Sequence, residues 1–204
     1  MPPLGARLRL RVGLLGGSFN PAHAAHREIS LAAMQRLKLD QVWWLVSPQN
    51  PLKSRAGMAP LAQRLAGARQ VAAHPRIKPC AIEQSFGSYY TADSLALLRR
   101  HYPAMRFVWL MGADNLAQMR HWQDWRRIAA LMPIAVLDRP GFGLPAAQSL
   151  VARALAPHRL RLGQAGALAG HKAPAFMLLK TRLNPLSATA LRQQRKTAGL
   201  QASA

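Results

Sequence analysis

The chain has 204 residues, enough for one ordinary domain, and half of them are hydrophobic, which argues against a disordered chain. The single cysteine, Cys80, excludes an internal disulfide and a zinc site made of several cysteines, and it predicts a small buried hydrophobe. Lysine and arginine outnumber aspartate and glutamate by 28 to 7; the net charge of +21 suits an anionic partner, but the scattering of the basic residues predicts a solvated surface for most of them.

No segment of the sequence predicts a membrane helix or a signal peptide. The longest uncharged apolar run with core character, residues 128–137, is far shorter than the roughly 20 residues that a spanning helix needs. Residues 1–17 interleave arginine with leucine and contain no compact apolar stretch of the kind that signal peptides have. We therefore expect a cytoplasmic protein with no membrane partner.

Predicted strands alternate with predicted helices along the chain. The strands are short apolar runs, at residues 8–15, 41–46, 77–83, 106–111, 133–137 and 176–179. The helices carry apolar residues three and four positions apart, at residues 23–37, 61–73, 91–102, 115–131 (in two pieces around His121), 148–155 and 187–197. Asn20 is a predicted N-cap with Pro21 in the first helical turn, and Thr91 is a predicted N-cap of its own helix.

This alternation predicts an α/β fold: a doubly wound, Rossmann-like parallel sheet of five to six strands with helices on both faces. We expect one domain over residues 1–204, with its core at about residues 8–198 and a frayed tail at 199–204. Ligands of such sheets bind beyond the carboxyl ends of the strands, at the point where the strand order reverses. The chemistry is therefore expected in the loops after the first, second, fourth and sixth strands.

The segment after the first predicted strand combines features that suit a bound phosphate. It reads G-G-S-F-N-P-A-H-A-A-H, from Gly16 to His26. The two glycines let the backbone approach a ligand, and the start of the following helix favours an anion. His23 and His26 are three positions apart, so both imidazoles can reach one side of the helix. The spacing matches neither the Walker A loop nor the dinucleotide-binding G-x-G-x-x-G pattern.

A second segment of the same character lies near the end of the chain, after the last predicted strand. It reads L-S-A-T-A-L-R, from Leu186 to Arg192. The hydroxyls of Ser187 and Thr189 and the nearby amides can form an anion nest at a helix start, and Arg192 can clamp phosphate oxygens. This pattern alone is weak evidence for a phosphate site. Its occurrence together with the first segment makes that interpretation stronger.

Both segments resemble motifs of the nucleotidyltransferase superfamily. The first is usually G-G-T/S-F-D-P-x-H-x-G-H, so Asn20 and Ala25 depart from it; the second is usually I-S-S-T-x-I-R. Further segments resemble those of the nicotinate-nucleotide adenylyltransferases: S-P-Q-N-P-L-K at 47–53, Y-T-A-D-S-L at 90–95, G-A-D-N-L at 112–116, H-W-Q-D-W at 121–125 and R-P-G at 139–141. The resemblance extends from about residue 11 to residue 195.

The resemblance implies a reaction and its substrates. AMP passes from ATP to nicotinate mononucleotide by direct in-line attack, without a covalent enzyme intermediate, and nicotinate adenine dinucleotide and pyrophosphate form in NAD biosynthesis. Magnesium is the implied cofactor, held through the ATP phosphates rather than by protein ligands, and no protein metal site is expected. The oligomeric state is left open.

The resemblance also implies roles for individual residues. ATP is expected to contact residues of both motifs and of the fourth strand's end, namely Gly16, Gly17, Ser18, Phe19, Gly112, Asp114, Ser187, Thr189 and Arg192. Positive charge or hydrogen bonds at the transferred phosphate are expected from His23, His26, Lys53 and Arg192. Nicotinate mononucleotide is expected to contact Asn50, Lys53, Tyr90, Thr91, Trp122 and Gln123, with Trp122 stacked on the pyridine ring.

Other interpretations remain open at this point. The same chemistry on nicotinamide mononucleotide or phosphopantetheine is the close alternative, and a basic nucleic-acid-binding protein is a distant one that we do not favour. Trp122 and Trp125 are three positions apart, as in a helix core; we expect Trp125 in the core and Trp122 facing the ligand. Asp114 also suits a plain helix cap, and Asp93 the first turn of its helix.

Overall fold

Six parallel strands form one sheet in a computed structural model that describes residues 2–3, 8–48, 57–87, 90–138 and 146–180. The strands are β1 (Arg11–Gly17), β2 (Gln41–Val46), β3 (Ile77–Cys80), β4 (Arg106–Gly112), β5 (Ile134–Leu137) and β6 (Phe176–Leu179). Their order in the sheet is β3-β2-β1-β4-β5-β6. This is the doubly wound order of Rossmann-type sheets, and it confirms the predicted fold class.

Helices cover both faces of the sheet. Among the described residues the α-helices are α1 (Ala24–Arg36), α2 (Leu61–Ala72), α3 (Ile82–Phe86), α4 (Thr91–His101), α5 (Ala113–Gln118), α6 (Trp125–Leu131) and α7 (Leu150–Ala154). Buried residues of α1, α2 and the 3-10 helix Leu162–Gly170 share one core with one face of the sheet. Buried residues of α4, α5, α6 and α7 share a second core with the other face. None of the described helices is long and apolar enough to cross a membrane.

Side chains alternate between these two cores along each central strand, as the period of a strand requires. Trp43 and Trp44 are neighbours in β2 and are both fully buried, but they belong to opposite cores. Trp43 packs edge-to-face against Tyr102, with ring centroids 5.3 Å apart. Trp44 donates a hydrogen bond of 2.8 Å from its indole nitrogen to the hydroxyl of Ser30 in α1.

Two predicted strands differ from the observed ones by more than one residue at an end. β1 begins at Arg11 rather than residue 8, because the neighbouring strands supply partners only from Arg11 and Val12 onwards. The predicted strand 77–83 ends at Cys80, and the helix α3 follows. Ile82 and Phe86, one helical turn apart, both pack against the core there. Cys80 is partly rather than fully buried.

The predicted N-caps Asn20 and Thr91 are wrong. The first helix is capped by His23, and the side chain of Asn20 bonds the chain before α2 instead, donating to the Gly57 carbonyl at 3.0 Å and accepting from the Ala59 amide at 3.3 Å. In α4, Tyr90 has the extended backbone of a cap and Thr91 is already helical. The helix predicted at 148–155 is the shorter α7, whose cap Ser149 accepts from the Ala152 amide.

The helix predicted at 115–131 is interrupted, as expected, near His121. A 3-10 turn, Met119–His121, follows α5, and Asp124 takes a left-handed backbone conformation with φ of 52° before α6 begins. The terminal helix predicted at 187–197 lies outside the described residues. The extent of the domain, about 8–198, therefore stays a prediction.

Glu83 is a buried carboxyl in α3, with 8% of its surface exposed. Burial raises its pKa to about 7, while the hydroxyls of Ser94 and Ser47 act in the opposite direction. Ser47 follows β2 and Ser94 lies in the first turn of α4. The carboxyl therefore sits where the second strand, α3 and α4 meet.

This burial predicts a pH-dependent loss of stability. Because the folded pKa is raised, the protonated form favours folding at low pH, and that contribution is lost as the pH rises from about 4.5 through about 7. The free energy of unfolding of Glu83→Gln, relative to that of the unsubstituted chain, should therefore increase by up to roughly 3 kcal/mol between pH 5 and pH 8. Urea unfolding at both pH values measures this difference. The substitution Glu28→Gln, at an exposed position, is the control. The prediction is contradicted if the difference in unfolding free energy between Glu83→Gln and the unsubstituted chain is the same at both pH values.

Candidate active site

The carboxyl ends of β1 and β4 lie side by side in the middle of the sheet. Strand β1 ends at Gly17 and β4 ends at Gly112. The chain leaves β1 toward α1 on one face, and it leaves β4 toward α5 on the other. This is the switch point of the sheet, where a crevice forms between the two loops. The fold therefore brings the first predicted motif beside Gly112 and Asp114, although they are far apart in sequence.

Gly16 is required by the protein's own packing. A Cβ atom built on Gly16 would lie 2.4 Å from Cη2 of Trp109, a buried residue of β4. A Cβ on Gly17 would approach Phe19 only to 3.4 Å, an ordinary contact. The glycine pair was expected to make room for a ligand; at Gly16 the room is used by the Trp109 ring. Sequence reasoning missed Trp109, which reads as one more apolar residue of a buried strand.

His23 and His26 lie together at the start of α1, with ring centroids 3.9 Å apart. His23 is the N-cap of the helix, and its main-chain N–H donates to Nδ1 of His26 at 3.3 Å. A neutral imidazole that accepts at Nδ1 carries its proton on Nε2. The bond therefore leaves Nε2 of His26 as a hydrogen-bond donor.

Packed aromatic rings hold the His26 ring in place. Phe19, buried and left-handed with φ of 46°, lies 4.7 Å from the His26 ring, centroid to centroid. Phe19 also stacks on Trp44 at 5.1 Å, and Trp44 is anchored to Ser30 of α1. Sequence reasoning named Phe19 but missed Trp44 and Ser30. The two adjacent tryptophans of β2 were the available signal, since neighbours in a strand face opposite cores.

Asp114 lies in the first turn of α5, and Gly112 is the N-cap of that helix. Gly112 is buried and Asp114 is partly buried. The position suits both interpretations made from the sequence, a carboxylate facing a ligand and a carboxylate at a helix start.

Trp122 lies on the turn between the 3-10 segment and α6, not on a continuous helix. It is partly buried and packs edge-to-face against Trp109, with ring centroids 6.4 Å apart. Trp125, by contrast, is a buried residue of the core, as expected. The helical spacing assigned to the two tryptophans is wrong, because the left-handed Asp124 separates them.

The start of α4 lies near this turn. Asp93 of α4 and Arg127 of α6 form an ion pair of 3.0 Å, which joins the first turn of one helix to the other. Thr91 is partly buried at the start of α4, whereas Tyr90 and Gln123 are exposed. The fold thus brings Thr91 and Trp122 to the same side of the sheet. Five predicted site residues lie outside the described residues: Asn50, Lys53, Ser187, Thr189 and Arg192.

The described donors suit a phosphate group better than a metal ion. No group of three or more histidine, cysteine, aspartate or glutamate side chains that could hold a metal occurs in the described ranges. An imidazole N–H donor and main-chain amides at a helix start instead complement an anion.

Comparison with known proteins identifies the family of this chain. The family model described as cytidylyltransferase-like matches residues 14–194. Two relatives bear the name "Probable nicotinate-nucleotide adenylyltransferase". One, from Bradyrhizobium sp. (strain BTAi1), is 54% identical over 90% of this chain and 95% of its own length. The other, from Rhizobium meliloti, is 49% identical over 90% of this chain and 97% of its own.

A solved structure supports the fold. The Plasmodium falciparum nicotinic acid mononucleotide adenylyltransferase complexed with NaAD superposes with a TM-score of 0.66, covering 90% of this chain and 83% of that one. Its sequence identity is 15%, so this likeness concerns the fold. The identity to the bacterial relatives and the length of the family match are decisive. The chain belongs to the nicotinate-nucleotide adenylyltransferases, within the cytidylyltransferase-like family.

Proposed function

We propose that this chain transfers AMP from ATP to nicotinate mononucleotide, forming nicotinate adenine dinucleotide and pyrophosphate in NAD biosynthesis. The observation that carries the proposal is the histidine pair at the start of α1, beside the switch point of the sheet. Relatives about half identical to this chain are named for that activity. We propose that the reaction takes place in the cytoplasm.

The two substrates would occupy the two sides of the crevice. ATP would lie over the ends of β1 and β4, against Gly16, Gly17, Ser18, Phe19, Gly112, Asp114, Ser187, Thr189 and Arg192. Nicotinate mononucleotide would lie toward α4 and the turn after α5, against Asn50, Lys53, Tyr90, Thr91, Trp122 and Gln123. Trp122 would stack on the pyridine ring, and the amides near Thr91 and Gln123 would receive the nicotinate carboxylate.

The reaction needs no nucleophile on the protein. A phosphate oxygen of nicotinate mononucleotide forms a bond to the α-phosphorus of ATP, and the bond from that phosphorus to the oxygen bridging to the β-phosphate breaks. The attacking oxygen is already an anion, so no strong general base is required. Catalysis consists of positioning the two substrates and stabilising negative charge at the α-phosphate. In this proposal Nε2–H of His26 donates there, with His23, Lys53 and Arg192 as further contributors.

Magnesium would enter with ATP. Its chemistry in such a site is to neutralise phosphate charge, and hard oxygen ligands from the phosphates themselves suit it. The donors at the start of α1 would bind other phosphate oxygens of the same substrate.

The proposal is tested by pyrophosphate release with ATP and magnesium, offering nicotinate mononucleotide and nicotinamide mononucleotide in parallel. We expect a strong preference for the nicotinate form. Equal rates would retain the adenylyl transfer and overturn the acceptor. Folded protein that binds ATP but is silent with both would point to another acceptor, such as phosphopantetheine. Protein that binds RNA in a salt-dependent manner without binding ATP would overturn the enzyme assignment.

Removal of the His26 imidazole should slow the chemical step. His26→Ala loses one donor to the transition state, so we expect kcat to fall by about 100-fold or more. Steady-state kinetics with saturating substrates measures this. His158→Ala, at an exposed histidine far along the chain, should leave kcat unchanged. An unchanged kcat in His26→Ala would remove His26 from its proposed role.

Loss of the Trp122 ring should weaken mononucleotide binding. Trp122→Ala removes the proposed stacking surface, and we expect KM for nicotinate mononucleotide to rise by about 10-fold, with a smaller change in Trp122→Phe. KM for ATP should stay near its original value. If the ATP constant alone rises, Trp122 does not stack on the acceptor. A thermal melt of each variant separates this effect from loss of the contact with Trp109.

A further inference from the structure

Arg64 is a buried arginine in the first turn of α2, with 4% of its surface exposed. Burial lowers the pKa of its guanidinium from the usual value, but an arginine remains charged. No carboxylate among the described residues forms an ion pair with it; the pairs found there join other residues. A buried charge without a charged partner is costly unless hydrogen bonds compensate it.

Main-chain carbonyls supply that compensation. Nη1 of Arg64 donates to the Ser18 carbonyl at 2.7 Å and to the Ser47 carbonyl at 2.8 Å. Nη2 donates to the Pro48 carbonyl at 3.1 Å, and Nε donates to the Ala59 carbonyl at 2.8 Å. The planar guanidinium offers several N–H groups in a fixed arrangement, so one side chain can satisfy carbonyls from different directions.

The four carbonyls belong to three separate segments of the chain. Ser18 lies between the glycine pair and the histidine pair, in the loop after β1. Ser47 and Pro48 continue from the end of β2, and Ala59 precedes α2. Asn20 joins the first and third of these segments again, through its bonds to Gly57 and Ala59. The guanidinium of Arg64 therefore fixes the loop that leads to His23 and His26 through hydrogen bonds to its main chain. It need not touch a substrate to do so.

We propose that Arg64 is a positioning residue for adenylyl transfer, which holds the Gly16–His23 loop against the end of β2 so that the phosphate-binding groups are arranged before ATP binds. The inference rests on the proposed function for its kinetic consequence. Its structural consequence, the order of this loop, does not depend on which acceptor the chain uses.

Two substitutions separate the shape of the side chain from its charge. Arg64→Met removes the charge and all four hydrogen bonds. Arg64→Lys retains the charge, but a single ammonium group cannot reach carbonyls of three segments. We therefore expect both variants to be impaired, with kcat/KM for ATP reduced by roughly 10- to 100-fold, because small misplacements of reacting groups cost rate.

A matched control comes from the other face of the sheet. Arg99 of α4 donates from Nη1 to the Leu131 carbonyl at 2.7 Å and so also ties an arginine to a main-chain carbonyl. Arg99→Met should change thermal stability at most, with kcat and both KM values within about twofold of the unsubstituted chain, since surface changes away from special features have small effects.

The decisive measurements are kinetics at a temperature where every variant is folded and hydrogen exchange of the peptide containing residues 16–23. Arg64→Lys and Arg64→Met should exchange faster in this peptide than the unsubstituted chain and should bind ATP more weakly by calorimetry, whereas Arg99→Met should do neither. Folded Arg64 variants with unchanged exchange and unchanged ATP affinity would overturn the proposal. If Arg64→Met does not fold, Arg64→Lys carries the same comparison. A chain inactive with every acceptor would overturn the proposed function alone, since exchange and ATP affinity still test Arg64.

Discussion

Strand β1 is hydrogen-bonded on both sides, to β2 and to β4, and the position of the site depends on this double pairing. The register is continuous from Val12 to Gly17 on one side and from Arg11 to Leu15 on the other. A strand held in this way cannot slide without breaking both ladders and moving its side chains to the wrong core. The point at which Gly16 and Gly17 emerge is therefore fixed by the whole sheet. The loop beyond them begins from a rigid base.

The two cores support different halves of the crevice. On one face, the rings of Phe19 and Trp44 and the helix α1 support the two histidines. On the other face, the Trp109 ring packs against both Gly16 and Trp122. A chain with one such face alone would support only one half of the crevice. The doubly wound sheet provides both because successive crossovers leave β1 and β4 in opposite directions.

Much of the fold could be predicted from the sequence, because strands and helices are recognised by their periodicity and apolar content. The six strands, the fold class and the first motif at the switch point all follow from patterns of that kind. The errors occur where a side chain bonds outside its own element. Asn20 was expected to cap a helix, but the chain before α2 offers its amide two partners. The strand predicted through Glu83 instead stops at Cys80, and the helix α3 begins at Ile82. Arg64 gave no signal, since nothing local distinguishes it among so many basic residues; its role arises from carbonyls brought together by folding.

The contact between Gly16 and the Trp109 ring has a consequence for how this chain can vary. A methyl group at position 16 requires the indole to move, and the indole in turn bears on Trp122. The residues at positions 16 and 109 are thus structurally coupled, although they lie in different strands and 93 positions apart in sequence. Smaller residues at 109 would tolerate alanine at 16, at the expense of the surface that supports Trp122. A larger residue at 16 alone clashes with the indole, and a smaller residue at 109 alone leaves a gap beside Gly16 and Trp122.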